Sequence, residues 1–365
     1  MLRIILMSLI FLQLLITGSF AGESDKWNDG PYVFINDDTT FLVQYVDSDS
    51  LIQFEVSGDN SVSFQGSVYD SGNNYIVYRN HIVPKTNYTD ISKLFVFSDI
   101  HGEYEFLCEL LINNHVIDSS LHWSFGDGHL VVDGDVFDRG DKVNEILWML
   151  YRLEKEAEEA GGMVHYLLGN HEIMPIQNDI RYINENYATI TCSLLNKSYP
   201  ELYSNQSVIG NWIRSKNVCE IINGILFVHG GMNPDFIDSG LTIDIINETM
   251  RENIDKNREE QKEDSVYYFY SGYGPVWYRG FHYEMEKYPQ ATEADIDKLL
   301  NFYNVEHIIV GHTVVDSVSS LYDGKIFAVN QDYTEHDEIE GMFWEDGVFY
   351  ACDISGKMRK LFEKR

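Results

Sequence analysis

His129-Leu130-Val131-Val132-Asp133-Gly134-Asp135-Val136-Phe137-Asp138-Arg139-Gly140 is the stretch on which the fold turns. An apolar strand runs into a glycine turn, and the turn delivers two acids and an arginine. The same order of strand, turn and polar side chain recurs elsewhere. LFVF (94–97) leads into Ser98-Asp99-Ile100-His101-Gly102, and VHYLL (164–168) into Gly169-Asn170-His171-Glu172. ILFV (225–228) ends in His229-Gly230-Gly231, and HIIV (307–310) in Gly311-His312-Thr313. Between the strands, Val143, Ile146, Leu147 and Leu150, and later Ile296, Leu299, Leu300 and Tyr303, repeat at helical spacing. The alternation predicts an α/β core. In such sheets the crevice lies at the carboxyl ends of the strands, so the five strand ends predict one shared site.

The residue types say what the site holds. Carboxylate, amide oxygen and neutral imidazole suit hard or borderline divalent ions, and the set contains no thiolate, which argues against a structural zinc. Asp99, His101, Asp135, Asn170, His229 and His312 are the candidate ligands of two ions, manganese, iron, zinc or a mixed pair. Asp135 is placed to bridge them, with Asp99 and His101 on one ion and Asn170, His229 and His312 on the other. A pair of ions 3.5–4 Å apart acidifies a shared hydroxide and grips phosphoryl oxygens.

The remaining polar residues then acquire roles. Arg139 offers a planar fork for phosphoryl oxygens. His171, beside Asn170, is the candidate general acid for the leaving oxygen, and Asp138 is its orienting partner. Arg279, in the stiff segment Gly274-Pro275-Val276-Trp277-Tyr278-Arg279-Gly280, is the candidate second phosphate arginine. Arg181 and Arg214 read as structural residues in helical stretches. His81, His115, His122, His129, His165, His282, His307 and His336 belong to no ligand motif, and the turn Asp127-Gly128 reads as a hairpin tip.

These blocks resemble the phosphoprotein phosphatases among the calcineurin-like metallophosphoesterases, whose pattern is GDxHG, GDxxDRG, GNHE, HGG and a later His. The run GDVFDRGDKVNEILWMLYRLEKEA, the segment GPVWYRGF and the closing VGHT are most similar to the Shewanella-like protein phosphatases, including the bacterial exported tyrosine-phosphatase type. The resemblance covers roughly residues 94–313. It implies an α/β fold built as a β-sandwich flanked by helices, and the same ligands, acid pair and phosphate arginines as the residues themselves. Ser98 stands where the family has the first Gly of GDxHG. FAVNQDY near Phe327 stands where the eukaryotic Ser/Thr enzymes carry SAPNY, so binding of their toxins and regulatory subunits is not expected. The implied reaction is in-line attack on phosphorus by a metal-bridging hydroxide, without a phosphoenzyme, on a phosphorylated protein or a small aryl phosphomonoester. Phosphotyrosine is favoured by the resemblance alone. Hydrolysis of a nucleotide or dinucleoside polyphosphate, and an exported non-catalytic binding protein, are the alternatives.

Around this core the chain divides into a leader (1–21), a small β-rich N-terminal unit (22–90) and the catalytic domain (91–365). In the leader Arg3 precedes an apolar run, Ile4 to Ile16, and then Ser19 and Ala21, the pattern of a secretory signal. An exported protein, periplasmic or secreted, is expected, with no membrane attachment after cleavage. The N-terminal unit, with stretches such as YVFI and LIQFEV, is expected to pack or shield, with substrate binding as its alternative role. Over 365 residues, 26 basic against 58 acidic side chains give a net charge of -32, which disfavours nucleic-acid binding. The acidic run Glu154 to Glu159 reads as a solvated face. Cys108, Cys192, Cys219 and Cys352 form no Cys-x-x-Cys pair and read as buried thiols, with a disulfide among them permitted in an oxidising compartment. Asn87, Asn196, Asn205 and Asn247 begin N-x-[ST] sequons.

Overall fold

The computed structural model describes residues 26–65, 74–331 and 339–363. The expected leader lies outside the described residues. The catalytic unit is built on two six-stranded sheets. The first contains β7 (Lys93–Phe97), β8 (His129–Asp133), β9 (Met163–Leu167), β15 (Glu340–Glu345), β16 (Val348–Asp353) and β17 (Met358–Glu363), ordered β17-β16-β15-β7-β8-β9. The second contains β6 (Asn87–Tyr88), β10 (Cys219–Ile222), β11 (Ile225–Val228), β12 (His307–Val310), β13 (Ser319–Leu321) and β14 (Ile326–Ala328), ordered β13-β14-β12-β11-β10-β6.

The near-continuous apolar strands of the sequence follow from burial on both faces. Successive side chains of a strand point to opposite faces. Leu94 and Val96 of β7 therefore turn to the core between the sheets, with Phe227, Ile309, Phe327 and Phe349. Phe95 and Phe97 turn the other way, into the layer that holds Leu107 and Leu111 of α1 (Tyr104–Asn113) and Ile146 and Leu150 of α2 (Val143–Ala160). Strands β7, β8 and β9 run parallel, as do β11, β12 and β14. Parallel neighbours bring their carboxyl ends to one rim, and that rim carries the site.

The N-terminal unit is a meander of β1 (Asp29–Asp37), β2 (Thr40–Asp47) and β3 (Ser50–Ser57), with a hairpin of β4 (Ser61–Gln65) and β5 (Asn74–Tyr78). It packs on α2. The Trp148 indole donates to the Pro31 carbonyl at 2.7 Å, and the Phe64 and Tyr75 rings meet the same tryptophan edge-on. The buried Asp29 accepts from the Thr191 hydroxyl at 2.6 Å and the Tyr32 hydroxyl at 2.9 Å, while burial pushes its pKa up to about 6.

Several sequence expectations are corrected. Arg181 lies in a turn, where it pairs with Asp179, and only Arg214 is helical. The run Glu154 to Glu159 is not wholly solvated, because one side of α2 packs on its neighbours. Glu154 accepts from the Trp212 indole and from Lys216, and Glu156 accepts from Trp123, His122 and Arg152. Asp127-Gly128 is no hairpin tip, since β8 is flanked in its sheet on both sides by strands parallel to it, β7 and β9. All four cysteines are free thiols. Asn247 is buried, its amide donating to the Cys219 carbonyl at 2.8 Å, so the folded chain presents the other three sequons and not this one. No helix of the described residues is long and apolar enough to cross a membrane.

Candidate active site

Asp99 and His101 follow β7, Asp135 to Arg139 follow β8, and α3 (Asn170–Ile176) begins just after β9 with Asn170 and His171. His229 follows β11 and His312 follows β12. The turns that redirect the chain here are tight. Asp99, His101, Asp135, Asp138, Arg139 and His312 all take positive φ, between 44° and 73°. Non-glycine residues adopt this region at a cost, and such residues cluster at functional sites. Gly134 (φ 86°) opens the central turn, and a Cβ there would lie 2.7 Å from Nδ1 of His229. The Gly169 backbone similarly leaves no room beside the Asp135 carboxylate.

Asp135 is the hub. Its Oδ1 accepts from the His171 amide at 2.9 Å, and its Oδ2 lies 3.0 Å from Nε2 of His229 and 3.9 Å from Nε2 of His171. Ligand atoms of His101, Asp135 and His171 lie within 4.8 Å of one another, and so do those of Asp135, His229 and His312. Asp135 belongs to both groups. Asn170 joins through its Oδ1, 3.2 Å from Nε2 of His229. Asp99 joins through its Oδ1, 3.9 Å from Nε2 of His101.

The outward nitrogens of the histidines are committed to the scaffold, which fixes what the inward ones can do. His101 donates from Nδ1 to the Phe137 carbonyl at 2.7 Å, and His229 from Nδ1 to the Asp133 carbonyl at 2.6 Å. His171 donates from Nδ1 to Oδ2 of Asp138 at 2.6 Å. Their Nε2 atoms face the centre. Nε2 of His312 is buried with no hydrogen-bond partner among the described residues.

The electrostatics are those of a dry pocket of facing acids and imidazoles. Burial pushes Asp99 up to about 6 and Asp133 well above the carboxylate range, and pushes His101 down to about 3. Burial opposes ionisation of Asp135 too, but His229, His171 and His101 hold it well below the ordinary value. Burial likewise opposes protonation of His229, yet Asp135, Asp99 and Asp133 hold its pKa up to about 10. This donor set fits a pair of divalent cations: oxygen and imidazole ligands, one central carboxylate shared by both imidazole groups, and an imidazole nitrogen of His312 with no partner among the described residues.

At the edge of the cluster, Arg139 is exposed. Arg279 donates from Nη1 to the His312 carbonyl at 3.0 Å and the Thr313 hydroxyl at 3.3 Å. All ten candidate residues therefore come to one rim.

Three supports were not foreseen. Glu172 accepts from the backbone amides of Gly169 (2.7 Å), Asp135 (2.9 Å) and Val136 (2.7 Å), stitching two site loops together. Asn330 donates to Oδ1 of Asp99 at 2.8 Å. Tyr182 sets its ring 5.4 Å from that of His171 and accepts from the Arg139 amide at 2.8 Å through its carbonyl. Glu172 stood in the GNHE quartet and Asn330 just past the apolar IFA, so both carried a signal. Tyr182 carried none. A cavity of about 520 Å³ lined by Asn223, Asn304, His307 and Trp344 opens at the opposite, amino ends of β11 and β12 and contains none of these residues.

A β-sandwich whose strand ends gather acids, imidazoles and an amide around one carboxylate defines a metal-dependent hydrolase. The comparisons narrow the class. Residues 92–316 match the calcineurin-like phosphoesterase family, whose members use a dimetal centre. The structure of a cold-active protein-tyrosine phosphatase from a psychrophilic Shewanella species superposes with a TM-score of 0.84 at 34% identity, over 92% of this chain and 100% of that one. Shewanella-like protein phosphatase 2 of Arabidopsis thaliana is 28% identical over 274 residues, 64% of this chain and 69% of the relative. Shewanella-like protein phosphatase 1 of Plasmodium berghei is 29% identical over 225 residues, 60% of this chain and 61% of the relative. The chain belongs to the calcineurin-like phosphoesterase family, to its Shewanella-like protein phosphatase branch, and is a phosphatase.

Proposed function

We propose that the chain is a two-metal phosphomonoesterase acting on phosphorylated protein, with phosphotyrosine as its preferred residue, and that it works outside the cytoplasm. The single observation that supports the chemistry best is the position of Asp135, whose carboxylate faces both imidazole groups while its neighbour His171 is locked to Asp138 at 2.6 Å. Asp99, His101, Asp135, Asn170, His229 and His312 would hold the two ions, manganese, iron or zinc. When bound, the ions supply an acidified water and positive charge opposite the phosphoryl oxygens.

The chain's own residues do the rest. Arg139 and Arg279 bind phosphoryl oxygens and neutralise the charge that grows as the ester bond breaks, with Arg279 pre-set by its bonds to His312 and Thr313. Water adds to phosphorus and the bond to the leaving oxygen breaks. His171, held by Asp138, delivers its Nε2 proton to that oxygen. The Asp135 and Asp138 carboxylates favour the charged imidazolium against the opposing effect of burial, and they hold the His171 pKa above its ordinary value.

Two strands of support bear on substrate and compartment. The Shewanella relative, 34% identical, is a protein-tyrosine phosphatase, and the Arg3 to Ala21 stretch has the pattern of a secretory leader. A panel of phosphotyrosine peptide, phosphoserine peptide and diadenosine polyphosphate tests the substrate. The highest kcat/KM is expected on phosphotyrosine, and a preference for the polyphosphate would replace this function with nucleotide hydrolysis. Amino-terminal sequencing of exported protein tests the compartment, with a new terminus expected near Gly22.

A further inference from the structure

The residue that distinguishes an aromatic leaving group from an aliphatic one is not among the ligands or the phosphate arginines, and the geometry points to Tyr182. We infer that the Tyr182 ring is a platform on which the aryl ring of the substrate rests while its phosphate is held over the acid cluster. The inference rests on the phosphomonoesterase function proposed above and deepens it.

Exposed aromatic side chains are ordinary on protein surfaces and need no function. Tyr182 differs in being fixed while staying open. Its carbonyl accepts from the Arg139 amide at 2.8 Å, and the Asn184 amide donates back to the Arg139 carbonyl at 3.3 Å, so the 182–184 segment brackets the candidate phosphate arginine. The Arg181 guanidinium lies 5.3 Å from the Tyr182 ring centroid and is itself clamped by Asp179 through two bonds of 2.7 and 2.8 Å. The ring meets that of His171 at 5.4 Å and 46°. Even so, the residue is 47% exposed, and Ile180 beside it is 41% exposed.

The position follows from the chemistry of the leaving group. The leaving oxygen must come within about 3 Å of the acid nitrogen of His171 to take its proton. In an aryl phosphate the aromatic ring is bonded directly to that oxygen, so it falls beside whatever flanks the imidazole. What flanks it on the solvent side is Tyr182. Two aromatic rings attract in offset or edge-on arrangements at roughly 4.5–7 Å between centroids. A serine phosphate presents only a methylene there and gains little from such a ring.

The bland account of the same contact is that Tyr182 merely steers the His171 imidazole. The two accounts predict opposite selectivity. Phenol ionises near pH 10, far more readily than an aliphatic alcohol, so a phenolic leaving group depends less on the acid. Damage to His171 orientation would therefore hurt phosphoserine at least as much as phosphotyrosine. Loss of a platform hurts phosphotyrosine selectively.

The test uses one peptide sequence carrying either phosphotyrosine or phosphoserine, with kcat/KM measured for wild type, Tyr182→Ala and Tyr182→Phe. Tyr182→Ala is expected to lower the tyrosine-to-serine ratio about tenfold, the size of one well-placed aromatic contact, chiefly through KM on the tyrosine peptide. Tyr182→Phe, which keeps the ring, is expected to restore the wild-type ratio. A ratio that is unchanged or raised in Tyr182→Ala would overturn the inference and leave the phosphatase function standing. A wild type that hydrolyses neither peptide would overturn the function itself, and the platform with it.

Discussion

Two buried clusters of histidine and carboxylate sit in the same pair of sheets, and they could hardly differ more. One is the rim cluster around Asp135. The other is a chain of hydrogen bonds across β8, β9 and β10. His129 bonds to His165 at 2.8 Å, His165 to Glu220 at 2.6 Å, Asn217 to Glu220 at 2.8 Å and Arg251 to Asn217 at 2.5 Å. In this second cluster His129, His165, Glu220 and Asn217 each pass polar atoms to a neighbour, only Nε of Arg251 at its far end being buried without a partner among the described residues, and His129, His165 and Glu220 all sit in regular strands. In the rim cluster, acids and imidazoles confront one another across turns of positive φ, and Nε2 of His312 has no partner among the described residues. A closed network stabilises a fold and offers nothing to a ligand, whereas an open one awaits it. Burial of a histidine beside an acid does not by itself separate the two. Position along the strand does: His129 opens β8 and His165 lies inside β9, while His229 and His312 follow the carboxyl ends of theirs.

The comparison can be broken by substitution on either side. Asp135→Asn should cost the most, about a thousandfold in kcat/KM, with the far-ultraviolet circular dichroism unchanged, because both halves of the rim cluster lose their common carboxylate. His171→Asn should lower kcat by a few hundredfold on phosphoserine and by less on phosphotyrosine, reflecting the easier departure of phenoxide. Equal losses on the two esters would mean that His171 is not the acid.

On the other side, Glu220→Leu should lower unfolding stability by about 3 kcal/mol in urea titration, since His165 and Asn217 lose their shared acceptor inside the protein. Its kcat should stay within about twofold of wild type, as expected for a site remote from the chemistry. A collapse of kcat in a folded Glu220→Leu protein would join the two clusters and dissolve the distinction. Among the rim substitutions Asn330→Ala should cost the least, about tenfold in activity, by releasing Oδ1 of Asp99 from its orienting amide.

Much of this was legible in the letters because it is local. Each of the five apolar stretches is a strand with both faces buried, and the polar residues at its carboxyl end lie close behind it, so nine of the ten candidate residues are legible from strand ends, and only Arg279, in the Gly274–Gly280 segment, rests on another signal. The helices of residues 143–160 and 293–303 were equally plain from their apolar stripes. Contacts made at long range were not legible. The acid that stitches the β8 turn to α3 needed the fold to show which amides it would meet, and so did the docking of Asp29 on Thr191, 162 residues away. Asn330 was the near miss. It lies two residues past β14 (Ile326–Ala328), the parallel neighbour of β12, just as His312 lies two past β12, but no glycine turn sets it off from the apolar residues before it. Arg181 misled because aromatic neighbours in a turn look like a helix face, and Tyr182 beside it went unnoticed for the same reason.

The most direct measurement is the metal content of the purified protein set against its activity. Two divalent ions per chain are expected, with activity on an aryl phosphate lost on exhaustive chelation and regained on adding them back, and with Asp135→Asn failing to regain it. A chelated protein free of metal and still fully active would contradict the account at its root.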